Sequence, residues 1–178
     1  MGQDDADQAL ADPERADALP GGVGHVYPLG SRINAAGRLE VGGCDVVELA
    51  REFGTPAYVY AEDDLRRRAR TIQDAFAART DDFEVLYASK APPCTAALRI
   101  FAEAGLSCDV ASGGELHMAL RAGFDPQRIY MHGNNKSAGE LEYALDSGVG
   151  HVIVDSLDGI DRLARVAAGR EQGVLLRV

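Results

Sequence analysis

Lys90 follows the apolar run Val85-Leu86-Tyr87-Ala88-Ser89, and a primary amine leaving the end of a strand can attack a carbonyl carbon. Such Schiff-base chemistry needs the amine neutral, which partial burial and neighbouring cations both favour. Arg177, at the end of another run, is placed to be one of those cations. A lysine that simply leaves its strand into solvent satisfies the same spacing. Asp109 lies inside the run Cys108 to Ala111, where an ionised carboxylate is costly without a partner. Lys90 or Arg177 would supply one, either as an ordinary ion pair or as part of a group that orients the amine. Ser112-Gly113-Gly114-Glu115 opens a helix, and its backbone N–H groups would suit an anion. A tight strand-to-helix turn uses the two glycines equally well. His132-Gly133-Asn134-Asn135-Lys136-Ser137 is a dense polar loop after the third run, the kind of segment that often carries function. A hydrogen-bonded histidine and an Asx turn account for it too. His25, His117 and His151 have no ligand spacing and read as structural or surface residues, and no metal site is expected.

The elements that must position these groups follow a repeat. Short apolar runs begin near positions 85, 107, 129, 151 and 173, a spacing of about 22 residues. They are Val85 to Ala88, Cys108 to Ala111, Ile129 to Met131, His151 to Val154 and Val174 to Val178. Helical patterns lie between them: Ala97, Leu98 and Phe101; Leu116, Ala119 and Leu120; Leu141, Ala144 and Leu145; Ile160, Leu163 and Ala167. Gly105, Gly123, Gly148 and Gly169 follow these helices as stops. Strands alternating with helices through short connections must be parallel. Every run ends in polar residues, the last in Arg177, and in a (β/α)8 barrel such ends form one ring around one mouth. The fold class expected is therefore α/β, a partial barrel rather than an open doubly wound sheet. Eight strands close a barrel and the sequence supplies five, so it reads as truncated, with on the order of 66 further residues expected.

Upstream, residues 1–22 hold Asp4, Asp5, Asp7, Asp12, Glu14 and Asp17 against Arg15 alone and end in Pro20, Gly21 and Gly22, which reads as a disordered acidic tail. Residues 23–60 carry extended patterns at Gly24 to Leu29, Arg38 to Val41 and Pro56 to Tyr60, with one short helix over Asp45 to Phe53. Asp63 or Asp64 is expected to cap the next helix, which would bury a stripe of Leu65, Ala69, Ile72 and Phe76 and turn Arg66, Arg67, Arg68 and Arg70 to solvent. The net charge of −10, with no stretch that concentrates Lys and Arg as a phosphate-tracking surface needs, argues against a nucleic-acid partner. Cys44, Cys94 and Cys108 show neither CxxC spacing nor an even count, which fits a reducing cytosol. No secretory leader or membrane-spanning segment is expected.

Taken in order, Tyr87-Ala88-Ser89-Lys90-Ala91, Cys108-Asp109-Val110-Ala111-Ser112-Gly113-Gly114-Glu115-Leu116 and His132-Gly133-Asn134-Asn135-Lys136-Ser137 resemble the diaminopimelate decarboxylase family. The resemblance runs from about Gly37 to Val178 and includes Phe53-Gly54-Thr55-Pro56. The His-Gly-Asn-Asn-Lys segment is its most specific part. Lys90 alone would point only to the wider alanine-racemase-like fold. The resemblance implies a cytoplasmic homodimer with two domains: a barrel over residues 61–178 and beyond that binds pyridoxal 5′-phosphate, and a β-rich domain to which residues 23–60 contribute. It implies that Lys90 carries the cofactor, that Asp109 and Arg177 lie near its reactive end, and that His132, with Asn134 and Ser112, lines the same mouth. The implied reaction is decarboxylation of meso-2,6-diaminopimelate to L-lysine, with the cofactor ring as electron sink.

The resemblance also places the family's glycine-rich phosphate loop, its acidic partner for the ring nitrogen and a Cys-containing segment donated across the dimer beyond residue 178. The chain alone is therefore not expected to bind cofactor tightly or to turn over. Pro92-Pro93 departs from the polar residue that many relatives carry after the lysine, yet is compatible with a helix start. Competing readings are an ornithine- or arginine-type decarboxylase or a racemase on the same scaffold, a non-catalytic fragment or regulatory homologue, and last a barrel aldolase whose lysine meets a sugar carbonyl directly.

Overall fold

The computed structural model describes residues 26–178. The expected acidic tail, His25 and the first two residues of the Gly24 to Leu29 pattern lie outside the described residues. The chain divides into two compact units, one up to Arg68 and one from Ala69 onward.

In the first unit β1 (Arg32–Ile33), β2 (Leu39–Val41) and β3 (Cys44–Asp45) form an antiparallel meander. Helix α1 (Val46–Phe53) starts where Asp45 places its carboxylate on the N–H groups of Val47 and Glu48, satisfying two donors that the first turn leaves open. Residues 56–60 are not a strand. No strand of the described residues pairs with them, and Tyr58 is 92% exposed, so the alternation of apolar residues there lacks the ladder that a strand requires. Helix α2 (Glu62–Ala77) begins before both expected caps. Asp64 sits inside its first turn, 6% exposed, accepting from the Leu29 N–H and holding Arg68 at 2.8 Å. Of the expected buried stripe Ala69 is buried and Leu65 half-buried, while Ile72 and Phe76 remain 47% and 50% exposed. Among the aromatic rings of the described residues only Phe83 covers Phe76, stacked at 5.8 Å.

The second unit is built on β4 (Leu86–Ala88), β5 (Ser107–Val110), β6 (Ile129–Met131), β7 (His151–Val154) and β8 (Gly173–Leu176), all parallel and hydrogen-bonded in chain order. An open doubly wound sheet reverses its strand order at the switch point; these five strands never do, as a barrel requires. Helices α3 (Thr95–Glu103), α4 (Gly113–Ala122), α5 (Ala138–Asp146) and α6 (Leu157–Ala167) alternate with them, and a 3-10 turn (Pro126–Arg128) leads into β6. Each of the four glycines expected as helix stops has a positive φ.

Alternation along the strands gives the sheet two faces. Cys108, Val110, Ile129, Met131 and Val152 are wholly inaccessible, as are Leu98, Leu116, Ala119 and Ala144 from α3, α4 and α5. Burying each of the larger side chains contributes about 1.5–3 kcal/mol, so this interface holds the helices on the sheet. The residues between them, Asp109, Tyr130, His151 and Ile153, are half-buried on the opposite face. Close approach of the backbone is visible at Gly150, where an added Cβ would stand 2.0 Å from the Gln127 carbonyl oxygen.

Candidate active site

Parallel strands in unbroken order bring their C-terminal ends to one rim. A pocket of about 270 Å³ opens there, lined by Lys90, Asp109, Glu115, His132, Asn134 and Arg177. Five of these are residues that the sequence singled out. Ser112 does not line the pocket, because its hydroxyl caps α4 by accepting from the Glu115 N–H at 3.2 Å. A larger hollow of about 510 Å³ in the first unit, around Leu39, Val46, Phe53 and Tyr58, offers no amine, carboxylate or imidazole.

The Lys90 amine is exposed rather than partly buried, and no hydrogen bond or ion pair engages it among the described residues. Its strand is fixed nonetheless. Ser89 N–H donates to the Asp109 carbonyl at 2.9 Å, and Ala88 pairs with Asp109 across the ladder. The chain contains one other lysine, Lys136, which is 7% exposed. That ammonium donates to the carbonyl oxygens of Gly133 and Ile153, both at 2.6 Å, and the Lys136 carbonyl accepts from Arg162 at 2.6 Å. Burial holds Lys136 below the usual lysine value, Asp155 opposing and Arg162 assisting. Lys136 therefore pins the loop that carries His132 and Asn134, while Lys90 keeps its amine for other work.

Asp109 finds its partner in neither Lys90 nor Arg177. The His132 ring lies across the next strand, with Nδ1 3.3 Å from Oδ1 and 3.5 Å from Oδ2. Only the longer approach has hydrogen-bond direction, and Oδ1 is buried without a hydrogen-bond donor. Arg177 instead donates to Asn134 Oδ1 at 3.2 Å, and its backbone N–H continues the ladder to Val154. The reason is register. Asp109 and His132 project from the same face of adjacent strands, whereas Arg177 stands at the far strand of the five.

The anion expected at the Ser112-Gly113-Gly114 turn is one of the protein's own groups. Gly113 N–H donates at 3.0 Å to Oε1 of Glu140, which also completes a capping box with Ser137 at the head of α5. The Ser137 and Gly113 donors hold the Glu140 carboxyl below the usual carboxylate value.

Glu115 is the pocket residue whose side chain the sequence reading gave no role. Its spacing from Ser112 spells a capping box, but its carboxylate does not turn back onto the Ser112 N–H. Oε2 accepts from Ala111 N–H at 3.0 Å and from the hydroxyl of Ser89, a residue with no exposed surface. Cys108, behind the pocket, is no nucleophile, since burial, with Asp109 and Glu115 nearby, pushes its thiol up to about 12.

The donor set suits an aldehyde-bearing cofactor. A free primary amine stands beside a guanidinium and an imidazole, and one buried carboxylate oxygen still lacks a donor. The comparisons point the same way. The profile of the pyridoxal-dependent decarboxylase family, pyridoxal binding domain, matches residues 62–178. A diaminopimelate decarboxylase of Halalkalibacterium halodurans is 45% identical over 150 residues, which is 83% of this chain and 34% of that protein. One from Mycobacterium bovis is 44% identical over 156 residues, 86% of this chain and 34% of its own length. The crystal structure of the M. jannaschii diaminopimelate decarboxylase in co-complex with L-lysine superposes with a TM-score of 0.76 at 29% identity, over 84% of this chain and 36% of that one. The chain thus spans about a third of the length of the relatives it matches. With its five-stranded parallel sheet and the profile match over residues 62–178, the chain belongs to the pyridoxal-dependent decarboxylase family.

Proposed function

We propose that the chain contributes the lysine-bearing wall of a pyridoxal 5′-phosphate site in an enzyme that decarboxylates meso-2,6-diaminopimelate to L-lysine. The observation that carries this reading is the division of labour between the two lysines: Lys136 is consumed by backbone carbonyls, and Lys90 alone presents its amine to the pocket. Identities of 44–45% to diaminopimelate decarboxylases favour that substrate over an ornithine- or arginine-type one.

In this reading Lys90 is the residue that would hold the cofactor, by its amine. When bound, the cofactor supplies an electron sink for the pair left by departing CO2. The chain's own residues orient and balance charge. His132, braced by Asp109, presents an imidazole whose ring plane is fixed by the carboxylate beside it. Arg177, held by Asn134, keeps a cation at the rim where the anionic groups of cofactor or substrate would enter. Ser112 caps α4. A homodimer and a cytoplasmic location belong to the same proposal; the latter is supported by three free cysteines, and among the described residues no helix is long and apolar enough to cross a membrane.

The test is product analysis with the complete holoenzyme, offered meso-2,6-diaminopimelate, ornithine and arginine in parallel. Lysine from the first substrate, and its loss in Lys90→Ala, is the expected result. Turnover of ornithine or arginine in preference, or full activity in Lys90→Ala, would overturn the reading.

A further inference from the structure

We infer that Glu115 is a positioning residue that sets, through Ser89, the point at which Lys90 leaves the sheet. The inference rests on the reading of Lys90 as the aldehyde-bearing lysine and adds to it a residue on a different element.

The backbone of β4 ends at Ser89, whose N–H is tied to β5 through the Asp109 carbonyl. That bond fixes where the strand ends, and Ala91 N–H, donating to the Ala88 carbonyl at 3.2 Å, closes the turn that carries Lys90. The Ser89 hydroxyl adds a side-chain restraint, from a different element, to these backbone ones. It is fully buried, so its hydrogen has no water to turn to, and it donates to Oε2 of Glu115. The same oxygen accepts from Ala111 N–H at 3.0 Å, and Glu115 itself is anchored where its N–H meets Ser112 Oγ at 3.2 Å. One carboxylate oxygen thereby joins three pieces of chain: the end of β4, the end of β5 and the first turn of α4. Its other oxygen, Oε1, makes no hydrogen bond among the described residues, and Glu115 lines the pocket beside Lys90. If the glutamate served only to cap α4, its side chain would bond the Ser112 N–H, as Glu140 does for Ser137 one unit later. The departure from that pattern, toward the residue directly before Lys90, is what marks a positioning role.

Hydrogen bonds rather than charge carry this role, because both donors meet one oxygen and a glutamine carbonyl can accept from both. The experiment uses the complete enzyme, mixed with pyridoxal 5′-phosphate and trapped with borohydride, the adduct then being mapped to Lys90 or Lys136. Acetylation of Lys136 in parallel reports whether the fold has opened, since its amine is buried in the intact chain. Ser89→Ala and Glu115→Ala are expected to lower trapping at Lys90 several-fold, with the double variant no worse than Glu115→Ala alone and Lys136 still protected. Glu115→Gln is expected to trap within about twofold of the wild type. Should Glu115→Ala unprotect Lys136, Ser89→Ala, which removes a single hydroxyl, decides the matter. Trapping at Lys90 that is equal in wild type, Ser89→Ala and Glu115→Ala would overturn the positioning role alone, as would Glu115→Gln failing as badly as Glu115→Ala. A wild-type enzyme that takes no aldehyde at Lys90 would overturn the reading of the site and this inference with it.

Discussion

The ammonium of Lys136 lies 2.6 Å from the carbonyl oxygen of Ile153, 17 residues further along the chain on β7, and the same distance from that of Gly133. A buried cation spent on two carbonyls stabilises a loop, and the loop in question carries His132 and Asn134. Lys136→Met keeps the stem but leaves both carbonyls without this donor, and is expected to cost about 2–3 kcal/mol in denaturant unfolding. The pH dependence has a definite sign. Burial sets the folded pKa of Lys136 below the ordinary lysine value of 10.5, so between the two the unfolded chain binds more protons and stability rises with pH. The stability of the wild type relative to Lys136→Met should therefore increase as pH climbs toward 10.5, and a difference that shrinks over that window would contradict the assignment.

At the opposite end of the strands Glu84 accepts from the hydroxyls of Ser107 and Tyr130, with Arg128 at 3.7 Å. The hydrogen bond to Glu84, with burial and the carboxylate charge behind it, pushes the Tyr130 phenol from 10.0 to about 12. A phenol whose folded pKa is raised contributes stability that is present below 10.0 and lost as pH rises through about 12. The wild type should accordingly lose stability across that alkaline window while Tyr130→Phe, lower at neutral pH, stays flat; unfolding curves collected in steps of pH check both.

Gly133 has φ +96°, and a Cβ there would stand 2.9 Å from the Ala111 carbonyl oxygen, backbone that cannot yield cheaply. Gly133→Ala is expected to destabilise by on the order of 1–3 kcal/mol and to displace the His132 and Asn134 side chains. Thermal unfolding measures the first effect and the histidine ring shifts in NMR the second. An unchanged melting temperature would show that this loop tolerates the side chain.

The repeat near 22 residues located every strand of the second unit, because parallel strands leave short apolar runs between helix stops that propensity and glycine spacing both report. Lys90, Asp109, His132, Asn134 and Arg177 could be placed on one rim for the same reason: strand ends are legible once the strands are. What stayed hidden were partners. That Asp109 meets His132, that Glu140 takes the Gly113 N–H and that Glu115 reaches Ser89 all depend on side chains crossing from one strand–helix repeat to the next, which no periodicity encodes. Residues 56–60 misled for a related cause, since an apolar run of strand-like composition becomes a strand only where another strand pairs with it.

The central claim is that one lysine of two is built to meet an aldehyde. Borohydride reduction of the complete enzyme in the presence of pyridoxal 5′-phosphate, followed by peptide mapping, tests it most directly. A stable adduct is expected on Lys90 and none on Lys136, and in Lys90→Ala the remaining Lys136 is expected to stay unmodified. An adduct on Lys136 in the folded chain, or none on Lys90 at any cofactor concentration, would contradict it.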